Sequence, residues 1–163
     1  MTEDKKLRLV VLGGGPGGYA AAFLAADRGW SVTLVDPEEN PGGVCLHRGC
    51  IPSKALLHLA RVMAEAEEVA GHGIGFGPPE IDLDRVRAWK EEVVRKQTGG
   101  TGQLVKLRRL RHLRGEGRLL GGDRVGVELV GGGREEVAFD RAVIATGSRP
   151  AGLPFLPFAE ERI

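Results

Sequence analysis

The sequence predicts an α/β fold, a parallel sheet with helices on both faces and a small antiparallel insertion. Three patterns point to it. A short apolar run, Leu7 to Leu12, feeds directly into "GGGPGG" (13–18) and then a helical stretch. A second strand-like run, "WSVTLVD", ends in Asp36, completing a strand–helix–strand unit of the kind that joins parallel strands. Further on, two β-like runs flank "GGG" (131–133), which is a hairpin signal.

Composition sets the outer limits. With 163 residues, 42% hydrophobic and 28% charged, the chain is ordinary globular material, long enough to bury one core without staples. A formal net charge of +1 argues against a surface built mainly to neutralise nucleic-acid phosphate or anionic lipid. The run 7–12 is interrupted by Arg8 and is too short for a signal sequence or a membrane span. A cytoplasmic location is expected, with neither nucleic acid nor membrane as partner.

The elements follow in order. Leu7 to Leu12 is nearly continuous in apolar character, as in a buried parallel strand. "YAAAFLAADRG" reads as a helix closed by Gly29. Residues 37–50 read as a loop. From Ile51 to about Glu68, Leu56, Leu59, Ala60 and Met63 recur at helical spacing, and "GHGIGFGPP" (71–79) breaks the pattern. A second long helix should start near Asp82 and run until "TGGTG" (98–102) interrupts or ends it. "RVGVELV" (124–130) and "EEVAFD" (135–140) form the hairpin, and "RAVIATGSRP" (141–150) supplies another buried strand and a turn. The stretch "KLRRLRHLR" (106–114) reads as the solvated face of an element rather than a nucleic-acid patch, because no aromatic residues are interleaved with it. His58, His72 and His112 have no partners in the sequence and read as ordinary surface or helix residues.

Gly13, Gly15 and Gly18 match G-x-G-x-x-G between a strand and a helix. The first permits a tight turn, the second lets a pyrophosphate approach the backbone, and the third lets the helix sit close to the strand. Asp36, at the end of the second strand, is placed to accept hydrogen bonds from ribose hydroxyls. The motif by itself does not separate FAD from NAD.

"GGVCLHRGCIPSK" (42–54) holds the only two cysteines, Cys45 and Cys50. They could staple the fold, bind a metal or exchange electrons. A reducing cytosol disfavours a purely structural disulfide. A metal site could be assembled from Cys45, His47, Cys50 and His58, but no paired Cys-x-x-Cys spacing supports it. A redox pair fits better. Cys50 immediately precedes the predicted helix, where N–H groups and the dipole favour a thiolate. Pro52 suits the first turn, and Lys54 adds a positive charge.

The same stretch resembles the active-site signature of the flavin-dependent disulfide oxidoreductases, G-G-x-C-x-N-x-G-C-x-P-S-K, and "ATGSRP" (145–150) looks like that family's strand returning to the flavin. The resemblance runs in order over nearly the whole chain, and within the family it is most similar to the dihydrolipoamide dehydrogenases. It implies a Rossmann-like FAD-binding domain over 1–150, with 151–163 as the start of a linker towards an NAD-binding domain. It implies cofactor contacts from Gly13, Gly15, Pro16, Gly17, Gly18, Asp36 and Pro37; from Gly42, Gly43, Val44, Cys45 and Lys54; and from Gly117, Ala145, Thr146 and Gly147. Cys45 would be the interchange thiol and Cys50 the thiolate facing the flavin. No metal is implied.

The implied reaction passes electrons from a small dithiol, or a lipoyl group on an E2 component, through the Cys45–Cys50 disulfide and FAD to NAD. The complete enzymes of this kind are expected to be homodimers. One departure stands inside the motif: His47 replaces the usual asparagine. A larger one is the lack of a second glycine fingerprint for NAD and of the family's histidine base. The chain is therefore expected to be the FAD- and disulfide-bearing part, inactive by itself. The alternatives are a flavin-binding module without turnover, or part of a glutathione or mercuric reductase type of enzyme.

Overall fold

The computed structural model describes residues 6–152 and Phe155. Most of the linker expected at 151–163 lies outside the described residues. In chain order the elements are β1 (Arg8–Leu12), α1 (Pro16–Asp27), β2 (Ser31–Val35), α2 (Gly43–His47), α3 (Cys50–Ala70), α4 (Leu83–Leu107), β3 (Arg111–Leu113), β4 (Gly115–Leu119), β5 (Arg124–Leu129), β6 (Arg134–Ala138) and β7 (Arg141–Ile144). A four-stranded parallel sheet has the order β3-β2-β1-β7, and a separate antiparallel sheet the order β4-β5-β6.

Strand alternation divides the core in two. Leu9 and Val11 of β1 pack with Val32, Leu34, Ala22 and Phe23 on the face covered by α1 and by Val105, near the end of α4. Val10, Leu12 and Val35 face the other way, onto Val125, Val127 and Val137 of the antiparallel sheet. Val10, Val11 and Leu34 are wholly buried, and burying each such side chain contributes about 1.5–3 kcal/mol. The expected class holds, with one adjustment in its layers. Helices cover one face of the parallel sheet, and the antiparallel sheet takes the second, because β4–β6 present the apolar residues that match Val10, Leu12 and Val35.

Several local expectations change. The segment 37–50 contains the short helix α2. The helix α4 begins as expected, with Asp82 Oδ1 accepting from the N–H groups of Asp84 and Arg85 at 3.1 and 3.0 Å. It then continues straight through 98–102. The strand β7 is mostly exposed, since it lies at the sheet edge and only Val143 packs against the core. At its start Asp140 receives the Arg8 N–H at 2.8 Å and the Arg8 guanidinium at 2.8 and 3.1 Å, which explains an arginine inside an apolar strand.

The basic stretch 106–114 is not one face of one element. It covers the end of α4, a turn with Arg109 at φ 54°, and β3. Arg108 is mostly covered: it pairs with Asp27 at 2.9 Å and lies 5.0 Å from the centre of the Phe23 ring. Arg111 pairs with Glu135 of the second sheet. Among the described residues no helix is long and apolar enough to cross a membrane.

Candidate functional site

The carboxyl ends of β1, β2 and β7 open into a cleft of about 560 Å³. In open parallel sheets this is where ligands bind. The cleft is built largely of main chain. Gly13 takes φ +97°, and a side chain there would collide with the carbonyl of Ala145, so the turn after β1 needs glycine. A Cβ on Gly18 would overlap the Gly13 carbonyl and lie 2.9 Å from its carbon, so α1 reaches the strand only because that residue is glycine. Gly15 differs. Only the Gly43 Cα, at 3.9 Å, would meet a Cβ there, and Gly17 has nothing within 4 Å. Those residues present bare backbone to the cleft.

At the same end, α1 starts with Pro16 and has no acidic residue in its first turn and no side-chain cap. Its first N–H groups and the positive end of its dipole are left for an anion. This donor set, with space where Cβ atoms would intrude, fits the pyrophosphate of a dinucleotide.

Asp36 stands just beyond β2 and is only 7% exposed. Its Oδ2 accepts the Gly14 N–H at 2.6 Å and its Oδ1 the Glu38 N–H at 3.0 Å, so it fixes the glycine turn as well as facing the cleft. Against it lies His112 of β3. Burial pushes the His112 imidazole below its ordinary value, while the Asp36 charge and the Asp36 backbone pull it back up. Its buried Nε2 has no hydrogen-bond partner among the described residues. Nothing in the sequence marked His112 for this position, because the strand that carries it is only three residues long.

The segment before the cysteines closes another wall. The Gly42 N–H donates to the Gly14 carbonyl at 2.8 Å. Gly43 takes φ +57°, and a Cβ there would lie 2.6 Å from the Gly15 Cα. Val44 and Cys45 follow along the cleft, as do Ala145, Thr146 and Gly147 after β7 and Pro37 beside Asp36. Five residues expected at the cofactor do not line this cleft: Gly18 and Gly42 support it through their contacts with the 13–14 turn, Cys50 begins α3, and Lys54 and Gly117 lie elsewhere. Lys54 is exposed one turn into α3. Gly117 sits between the sheets, where a Cβ would be 2.6 Å from Leu12 Cδ2 and 3.4 Å from Val35 Cγ1, which gives it a packing reason. Glu38 and Arg48 line the cleft as well; they form an ion pair that the sequence pattern did not suggest.

Cys45, in α2, is partly buried, and Cys50 is the exposed first residue of α3; both are free thiols. The two side chains interact. The Cys45 thiol is held above its ordinary value, first by its hydrogen bond with the Cys50 side chain, then by burial and by the Cys50 charge, with Lys54 acting the other way. His47, between them, is committed to a hydrogen bond from Nε2 to the Asn40 carbonyl at 3.0 Å. Among the described residues no cluster of three or more His, Cys, Asp or Glu is arranged to hold a metal ion.

Comparison with known proteins gives the family. The family model for pyridine nucleotide-disulphide oxidoreductases matches residues 7–161. Curated relatives include the dihydrolipoyl dehydrogenase of Vibrio cholerae, 45% identical over 100% of this chain and 34% of its own length. That of Pseudomonas aeruginosa is 39% identical over 96% of this chain and again 34% of its own. The crystal structure of LpdA from Mycobacterium tuberculosis superposes with a TM-score of 0.80 at 26% identity, covering 91% of this chain and 33% of that one. The chain thus spans about a third of the length of the curated relatives it matches. It belongs to the pyridine nucleotide-disulphide oxidoreductase family.

Proposed function

We propose that these residues form the FAD-binding, disulfide-bearing part of a dihydrolipoamide dehydrogenase. The observation that carries the reading is that the cysteine turn and the glycine fingerprint build one cleft: Gly42 is bonded to Gly14, Gly43 abuts Gly15, and Cys45 lines the same wall. The turn 13–17 with the start of α1 would hold the pyrophosphate. Asp36 would hold the ribose, and residues 43–45 and 145–147 the flavin end. FAD, when bound there, supplies a two-electron acceptor next to the cysteines. NAD is the final acceptor in the proposed activity, with its site outside these residues.

The chain's own part is thiol–disulfide exchange. A substrate thiolate attacks Cys45 Sγ of the Cys45–Cys50 disulfide, the S–S bond breaks, and Cys50 leaves as a thiolate. Its place as the first residue of α3 stabilises that charge through the dipole and first-turn N–H groups. The second substrate thiolate then attacks the substrate sulfur bound to Cys45. This closes the substrate's own disulfide and releases Cys45, which takes up a proton, in keeping with its raised pKa. One dithiol has been oxidised and one cysteine pair reduced.

A dihydrolipoyl group, free or carried on an E2 component, is the proposed dithiol, and the complete enzyme is proposed to be a homodimer. Thiol counting tests the reading. The purified chain should show no free thiols in air and two after dihydrolipoamide, with EDTA changing neither value. Stoichiometric zinc released on thiol modification would overturn it.

A further inference from the structure

We infer that His47 is a positioning residue for the cysteine pair, coupling the turn that carries Cys45 through Asn40 to a seat on α4. The inference rests on the redox reading of Cys45 and Cys50. His47 is the last residue of α2, two positions after one cysteine and three before the other. Its Nε2–H donates to the Asn40 carbonyl at 3.0 Å, which requires the tautomer protonated at Nε2.

Asn40 is itself seated. A Cβ on Gly102 would overlap Asn40 Oδ1 and stand 2.7 Å from its Cγ. The adjacent Thr101 hydroxyl donates to the Pro41 carbonyl. Gly102 is buried within a 25-residue helix, a position where glycine is a poor helix former. The missing side chain makes room for Asn40. The path is contiguous: α4 at 101–102, the segment 40–41, the His47 ring, then α2 with Cys45.

Cys50 needs no such support, because it begins the long helix α3. α2 has five residues and cannot hold its own orientation by helix cooperativity. How Cys45 sits relative to Cys50 is therefore set by what anchors α2. Gly42 anchors one end, on Gly14. His47 anchors the other, beside an ion pair between Arg48 and Glu38 that is exposed on the arginine side. Such surface pairs hold little. An anchored pair has a higher effective concentration of one thiol at the other, and so a more stable disulfide.

The test is the equilibrium between the Cys45–Cys50 dithiol and disulfide in glutathione buffers, read by thiol trapping on the full chain at matched flavin occupancy. His47→Phe should lower the disulfide equilibrium constant about tenfold, a rise in potential of about 30 mV. His47→Gln, which restores an N–H donor near the Nε2 position, should return it to within about twofold of the original. Gly102→Ala, which displaces Asn40 while improving helix propensity, should shift the couple in the same direction as His47→Phe. This second variant keeps the test open if His47→Phe fails to fold.

A well-behaved couple that is unmoved by His47→Phe, or by Gly102→Ala, overturns the proposal alone. A His47→Gln protein that matches His47→Phe shows that the hydrogen bond is not the link, and also overturns it. A wild-type chain that forms no Cys45–Cys50 disulfide in any buffer overturns the redox reading itself, and this proposal with it.

Discussion

Two glycine-rich segments of this chain do opposite things to the backbone. "GGGPGG" (13–18) turns it sharply between β1 and α1, with the Gly13 N–H bonded to the Val35 carbonyl at 2.8 Å. "TGGTG" (98–102) runs through the middle of α4 without a break. There the Thr98 hydroxyl donates back to the Val94 carbonyl at 3.0 Å, satisfied inside the helix, while the Thr101 hydroxyl proton is shared between the Thr98 carbonyl, at 2.7 Å, and the Pro41 carbonyl. The difference lies in what is packed against each segment. In the first, strand, helix and cleft all meet, and glycine is needed for a positive φ and for close contact. Among the glycines of the second, only Gly102 meets a neighbour, and Gly99 and Gly100 have nothing within 4 Å among the described residues. A glycine run breaks a helix only where the surroundings require another backbone path.

Substitutions break the comparison in a definite order. The largest effect is expected at Gly18. Gly18→Val drives a branched side chain into the Gly13 carbonyl and against Ala145, separating α1 from the sheet. A loss of at least about 3 kcal/mol is expected, the upper range for overpacking, seen as a collapse of the thermal unfolding transition. A Gly18→Val protein as stable as the parent would show that α1 does not depend on this contact.

A smaller effect sharpens how the first segment is held. His112 sits against Asp36, which secures Gly14. The His112 pKa is depressed in the fold below its ordinary 6.5, so the fold favours the neutral ring. Its contribution to stability is complete above the unfolded value and is lost as pH falls through it towards the folded value. The melting temperature should therefore decline as pH is lowered below about 6.5, and His112→Gln should flatten that part of the profile. An unchanged profile in His112→Gln would assign the pH dependence to other groups.

The smallest effect belongs to the second segment. Gly99→Ala should stabilise the chain by about 0.5–1 kcal/mol, since the position is helical and open. Destabilisation there, measured by denaturant unfolding, would mean that α4 needs the local flexibility of glycine.

Much of this organisation was legible in the sequence because it depends on local patterns. The nearly continuous apolar run from Leu7 to Leu12 marks a strand buried on both faces, and the glycine spacing at 13, 15 and 18 fixes the turn. The C-x4-C stretch resembles a long family signature. What was not legible depends on contacts between distant residues. The glycine at 102 within α4 answers to Asn40, about sixty residues earlier in the chain. The layer over Val10 and Leu12 is set by β4–β6; β3 is only three residues long, and β4, GEGRL, has too little apolar character to stand out as a strand. The packing role of Gly117 follows from that second sheet, and the place of His112 from the pairing of β3 with β2 in the parallel sheet.

The second fingerprint glycine, Gly15, separates ligand binding from folding, and it supplies the most direct test of the cleft. Its would-be Cβ meets only Gly43 Cα at 3.9 Å, so Gly15→Val should change stability by no more than about 1 kcal/mol while filling the space a pyrophosphate must enter. The measurement is titration of the purified chain with FAD, followed by flavin fluorescence, for the parent and for Gly15→Val. Saturable one-to-one binding by the parent, abolished in a Gly15→Val protein that unfolds at nearly the same temperature, is the expected result. Full flavin binding by Gly15→Val, or none by the parent, would contradict the assignment of residues 13–18 as the cradle for FAD.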